Sequence, residues 1–231
     1  MQYLQQENPC QPVVNHHRHQ VIDRGDQGSG GHGRVHAHAL ERHGNNGTEQ
    51  PGDHHGNHQG YVAQVKEFQL SKVSEMIKEK NGLIILLDGL EDVHNLGAII
   101  RTAECAGVDG VIYKAHNAAR LNDTVAKVAS GALEYMKVAE VTNLVNTIKE
   151  LKKKGYWIVG SAGQAQTMYN ELDYDMNTVL VIGSEGKGMS RLVREQCDFI
   201  VKLPMYGHVS SLNASVAAGI LIYNILDKRN K

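Results

Sequence analysis

Unbroken aliphatic runs set between helical stretches constrain this chain most. Leu83–Leu87 is five aliphatic residues in succession. A strand that is apolar at every position, and not at every second one, is buried on both faces, as inside a parallel sheet. Tyr156–Ser161 and Thr178–Ile182 have the same character. Parallel strands need long crossovers, most often helices, and the segments between supply them. Asn95–Ala106 reads as a helix closed by Gly107, and Asn143–Lys154 as a helix with Gly155 just past its end. Residues 61–69 read as extended. Residues 70–80 carry Leu70, Val73, Met76 and Ile77 at helical spacing, and Asn81-Gly82 stops that helix. Shorter helices are expected over Thr124–Ser130 and Ser190–Gln196, with strands over Val111–Tyr113, Lys137–Val141 and Phe199–Leu203. Leu212–Leu226 reads as a final helix. The pattern predicts a doubly wound α/β domain whose ligands sit outside the carboxyl ends of the strands.

That pattern does not extend to the amino terminus. Residues 1–60 are 20% apolar, against 49% in residues 61–231. They hold 10 of the 13 histidines, 10 of the 24 glycines and no lysine. Such a segment cannot bury enough apolar surface to offset the entropy of ordering it, so it is expected to be disordered or badly packed. His16, His17 and His19 cluster, as do His54, His55 and His58. A folded metal site needs ligands held by a second shell of partners, and none is evident, so no specific metal site is expected. The three cysteines share no metal-ligand spacing and suggest no disulfide framework. With no apolar run near the ~20 residues that span a bilayer and no leader pattern, the expectation is a cytoplasmic protein without a membrane segment. A net charge of -1 indicates no broad electrostatic grip on nucleic acid.

Three loops at predicted strand ends carry unusual residues. The first, residues 88–101, follows Leu83–Leu87; Asn95 is placed to cap the helix and Arg101 lies six residues on. The second, residues 183–190, has three glycines that let backbone approach a ligand closely. It is neither the dinucleotide fingerprint nor a Walker loop. The third, residues 203–219, is a polar string in which Ser210 or Ser211 is placed to cap the last helix, followed by small residues that permit close packing.

Taken in order, the strings HNLGAIIRTAECAG (94–107), VIGSEGKGMS (181–190) and LPMYGHVSSLNASVAAGI (203–220) resemble the three motifs of the SPOUT-class, TrmH-like RNA 2′-O-ribose methyltransferases. GNHQGYVAQV at 56–65 resembles the junction that precedes the catalytic domain in that family. The similarity is strongest to the enzymes that methylate a guanosine ribose in large-subunit (23S) ribosomal RNA. It implies an α/β SPOUT domain over residues 81–231 with a parallel sheet and a C-terminal trefoil knot, preceded by a linker and first helix at 61–80. It also implies a homodimer that binds S-adenosylmethionine and acts on RNA. By motif position, Gly183, Leu203 and Leu212 correspond to cofactor-binding residues. Asn95, Arg101, Glu185, Ser211 and Asn213 correspond to the family's catalytic set. Relatives carry a small RNA-binding domain where residues 1–60 stand. A family-like end at 52–60 beside unrelated residues 1–51 fits either a frameshift in the gene or its record, or a real extension.

The implied reaction moves a methyl from a sulfonium to a ribose 2′-hydroxyl. The hydroxyl is a poor nucleophile until its proton is drawn away. An arginine with a pKa above ~12 is a poor base, so Arg101 is expected to hold phosphate and polarise the hydroxyl. A nicotinamide oxidoreductase would need glycine-rich phosphate loops after the first strand; Asp88-Gly89-Leu90-Glu91 stands there instead. An RNA-binding assembly factor that kept the fold and lost catalysis is the second reading.

Overall fold

A computed structural model of the chain describes residues 68–116 and 118–230; the expectations for residues 1–67 lie outside them. The described residues form seven strands, all parallel, flanked by five α-helices. In chain order they are β1 (Leu83–Asp88), α1 (Val93–Cys105), β2 (Gly110–Lys114), α2 (Asp123–Ala129), β3 (Val138–Val141), α3 (Leu144–Lys153) and β4 (Trp157–Ser161). β5 (Thr167–Met168), β6 (Thr178–Gly183), α4 (Arg191–Arg194), β7 (Phe199–Lys202) and α5 (Ala214–Arg229) follow. The sheet order is β3-β2-β1-β6-β4-β7-β5. This is the parallel α/β arrangement expected from the aliphatic runs.

Strand β1 lies inside the sheet between β2 and the central strand β6, and all six of its residues are buried. Leu83, Ile85 and Leu87 face a core shared with α1, α2 and α5, while Ile84 and Leu86 face a second core with α3 and Val193 of α4. Burying each such side chain contributes about 1.5–3 kcal/mol. Alternate β1 residues thus hold helices on opposite faces, which is why no polar position interrupts the run. The register Leu87↔Ile182 and Asp88↔Gly183 brings the ends of β1 and β6 side by side. Far from those ends, Arg229 anchors the last turn of α5 by donating to the carbonyls of Tyr174, Asn81, Gly82 and Met176 at 2.7–3.1 Å.

Several local expectations are corrected. Residues 70–80 contain only a 3-10 turn at Val73–Met76; Met76 alone of its residues is buried, and Val73 and Ile77 pack only in part against the second core. Helix α1 starts at Val93, and its cap is Asp92, whose Oδ1 accepts from the His94 N–H at 2.8 Å. Asn95 lies inside the first turn. Helix α5 is capped by Asn213, not by Ser210 or Ser211: its Oδ1 accepts from the N–H groups of Ser215 and Val216 at 3.0 and 3.3 Å. The two-residue strand β5 is too short to leave a periodic signal. No helix among the described residues is long and apolar enough to cross a membrane.

Candidate active site

The loops after β4, β6 and β7 border an open cleft of about 580 Å³ at the carboxyl edge of the sheet. Gly183, Glu185, Leu203, Ser211, Leu212 and Asn213 all line it. Six of the eight residues singled out in the sequence therefore share one cleft. Asn95 is not in the lining, but it is buried behind it at 4% exposure. Arg101 lies elsewhere. It is exposed on another flank of α1, and its Nη1 donates to Ser130 Oγ at 3.2 Å. Six residues separate it from Asn95, which turns it by about 120° and carries it ~9 Å along the helix.

Asn95, Glu185 and Asn213 form one hydrogen-bonded hub. Asn95 Nδ2 donates to Glu185 Oε1 at 2.9 Å and to Asp92 Oδ2 at 3.2 Å. Asn213 Nδ2 donates to Asn95 Oδ1 at 2.9 Å and to Glu185 Oε1 at 3.0 Å. The Ala214 N–H reaches the same Glu185 oxygen at 3.4 Å. With its Oδ1 capping α5, Asn213 has every polar atom committed to the protein, and so has the side chain of Asn95. Both side chains hold Glu185 in place. Glu185 Oε2 has no hydrogen-bond partner among the described residues, and Glu185 is the only carboxylate in the cleft lining.

The glycines of the second loop serve its own folding. Ser184 and Gly188 exchange backbone hydrogen bonds at 3.1 and 2.9 Å, closing a tight turn. Gly186 and Gly188 adopt φ of 78° and 68°, where a side chain is strained. A Cβ on Gly183 would lie inside the backbone of Gly188 and Met189. The expected close approach at Gly183 is therefore made by the chain itself. Asp88, at the end of β1, completes the turn by accepting from the Ser190 N–H at 2.6 Å. Beneath it, Cys197 packs on Met189, with the sulfurs 3.9 Å apart. Burial, with help from Asp198, pushes the Cys197 thiol up to about 11, so it is not a nucleophile at neutral pH.

Two parts of the site were missed in the sequence. Asp92 is one; an acid before a helix is a capping signal, but Asn95 was the competing choice. The loop Ser161–Gln164 after β4 also lines the cleft, and its position at a strand end was the available clue.

The donor set suits S-adenosylmethionine. Residues 203–212 of the third loop make no hydrogen bond to other described residues. Their backbone N–H and C=O groups beside the cleft remain available for a purine edge. Glu185 offers the negative charge that a sulfonium or ammonium group requires.

A family model for the SpoU rRNA Methylase family matches residues 82–223. The chain is 49% identical over 180 residues to YacO of Bacillus subtilis, named as a TrmH family tRNA/rRNA methyltransferase, covering 76% of this chain and 72% of that one. A similarly named protein of Staphylococcus saprophyticus is 48% identical over 178 residues, with 75% and 72% covered. Among solved structures, the SpoU methyltransferase AviRb of Streptomyces viridochromogenes, in complex with the cofactor AdoMet, superposes with a TM-score of 0.69 at 26% identity, covering 74% of this chain and 69% of that one. The A. aeolicus TrmH/SpoU tRNA modifying enzyme gives 0.60 at 32% identity, over 68% and 80%. The chain belongs to the SpoU/TrmH family of RNA methyltransferases, a family that uses S-adenosylmethionine.

Proposed function

We propose that this protein methylates a ribose 2′-hydroxyl of RNA, and that its substrate is ribosomal RNA, with a guanosine of the large-subunit (23S) RNA as target. The observation that carries the reading is the convergence of the Glu185–Asn95–Asn213 hub with the unbonded backbone of residues 203–212 on one cleft. The bound cofactor supplies a methyl group activated on a positively charged sulfur. Leu203 and Leu212 offer backbone groups to the adenine, and Glu185 faces the cationic half of the cofactor. Ser211, in the lining and without a hydrogen-bond partner among the described residues, is left to meet substrate or cofactor. Arg101 stands outside this cleft, on another flank of α1, and is read as holding an RNA phosphate beside the target ribose, where its guanidinium would polarise the hydroxyl.

The same reading includes a knotted carboxyl segment. The chain passes from β6 through α4 to β7, two places away in the sheet. It then returns to bond Glu185 through Asn213 and to pack α5 against α1. The reading also includes a homodimer. Val216, Ile220 and Tyr223 are 51%, 39% and 53% exposed and lie at i, i+4 and i+7 on α5, an apolar stripe that a second copy would cover.

The test uses the full chain, S-adenosylmethionine labelled in its methyl group, and separate ribosomal and transfer RNA. Label is expected in ribosomal RNA, in dinucleotides that resist alkali because the 2′-oxygen is blocked. Label in alkali-sensitive nucleotides, or in transfer RNA alone, would overturn the proposal.

A further inference from the structure

Two non-glycine residues of the described chain have left-handed backbone, Asn81 and Ser130. Asparagine is enriched in that region; serine has no such excuse. Ser130 sits at φ 51° and ψ 45° at the carboxyl cap of α2, where glycine is the usual residue. Its hydroxyl accepts from Arg101 Nη1 at 3.2 Å and donates toward the Val128 carbonyl at 3.4 Å. With the proton directed to Val128, a lone pair is left facing the guanidinium.

The helices are built to bring these groups together. A Cβ on Gly97 would collide with the Val128 side chain and press on the Val125 carbonyl at 3.0 Å. The glycine therefore lets α2 approach α1. Gly97 and Arg101 are one turn apart on the same face of α1. Val128 meets the first and Ser130 the second. Arg101 has no carboxylate partner among the described residues, so Ser130 is its one hydrogen-bond acceptor there.

We propose that Ser130 is a positioning residue for Arg101, and that its strained backbone is kept for that purpose. A neutral hydroxyl fixes one of the five guanidinium N–H groups without cancelling the charge, and leaves the others for an RNA phosphate. A carboxylate there would compete with the phosphate. The inference rests on the reading of Arg101 as the residue that meets RNA beside the hydroxyl.

The experiment compares Ser130→Gly, Ser130→Ala, Arg101→Ala and the double variant Ser130→Gly/Arg101→Ala. Thermal midpoint, affinity for S-adenosylmethionine and kcat on RNA are measured for each. Ser130→Gly relieves the strain, so its midpoint should equal or exceed that of the natural protein, by up to about 4 °C. Its kcat should nevertheless fall about tenfold, the weight of one hydrogen bond to a charged group. Ser130→Ala should show the same kcat with a lower midpoint than the glycine variant. Cofactor affinity should not change in either. In the Arg101→Ala background, Ser130→Gly should cost nothing further. Natural kcat in Ser130→Gly, with Arg101→Ala impaired, overturns this proposal alone, as does a further tenfold loss in the double variant. Natural turnover in Arg101→Ala overturns the reading of Arg101 and the proposal with it.

Discussion

Asn95→Asp alters the polarity of the hub and leaves its shape alone. In the natural protein Nδ2 donates to Glu185 at 2.9 Å and to Asp92 at 3.2 Å. In the variant an oxygen faces both carboxylates. Each lost bond to a charged acceptor is worth about 1.5–3 kcal/mol, giving about 3–6 kcal/mol for the two. Titration sets a ceiling, because keeping a carboxyl with an ordinary pKa near ~4 protonated at pH 7 costs about 4 kcal/mol, and that proton restores one of the two donors. The expected loss at pH 7 is therefore about 3–6 kcal/mol. Unfolding separates the new carboxyl from Asp92 and Glu185, so its pKa is higher in the folded state than in the unfolded one. Below pH ~4 only the one unrestored bond is missing; the penalty grows as pH rises and levels off above the folded pKa. At pH 5 the protonation cost is about 1.4 kcal/mol, which with the unrestored bond gives a ceiling of about 3–4 kcal/mol. Equilibrium urea unfolding at both pH values, followed through Trp157, the chain's only tryptophan, measures this directly. A loss under about 1 kcal/mol at pH 7, or a loss larger at pH 5 than at pH 7, would refute the reasoning.

Gly183→Ala should lower the melting temperature of the cofactor-free protein by roughly 4–10 °C, because the added methyl meets the backbone of Gly188 and Met189. Unchanged melting with lost cofactor binding would instead place the glycine's role at the ligand. At pH 8 only about one Cys197 thiol in a thousand is ionised if its pKa is about 11. Alkylation followed by peptide mass spectrometry should mark exposed Cys105 well before Cys197, with Cys197 labelling rising about tenfold per pH unit up to its pKa; equal labelling at pH 8 contradicts the burial argument. Tyr223→Glu on the α5 stripe should convert a dimer to a monomer in light scattering, and a natural protein already monomeric at micromolar concentration would remove the dimer from the reading.

The strands were legible because burial on both faces writes itself into consecutive residues. Leu83–Leu87 and Thr178–Ile182 each differ from the observed strands by one terminal residue. The motif residues were legible as strings, and the cleft gathers six of them. Residues 70–80 misled for a definite reason: helical spacing describes a face, but Leu70 is 48% exposed, Val73 and Ile77 reach the core only in part, and only Met76 is buried.

What the sequence by itself determined is local: which stretches are strands, which are helices, and which loops close them. Each of these depends on residues a few positions apart. The roles within the site depend on partners far along the chain. Asn95 reaches Glu185 across 90 residues and Asn213 across 118. Asp92 and Asn95 are both sound caps when read locally, as are Ser211 and Asn213. Tertiary packing chose between them, because burying Asn95 requires that each of its polar atoms find a partner, and only the folded sheet, with the ends of β1 and β6 side by side, supplies those partners.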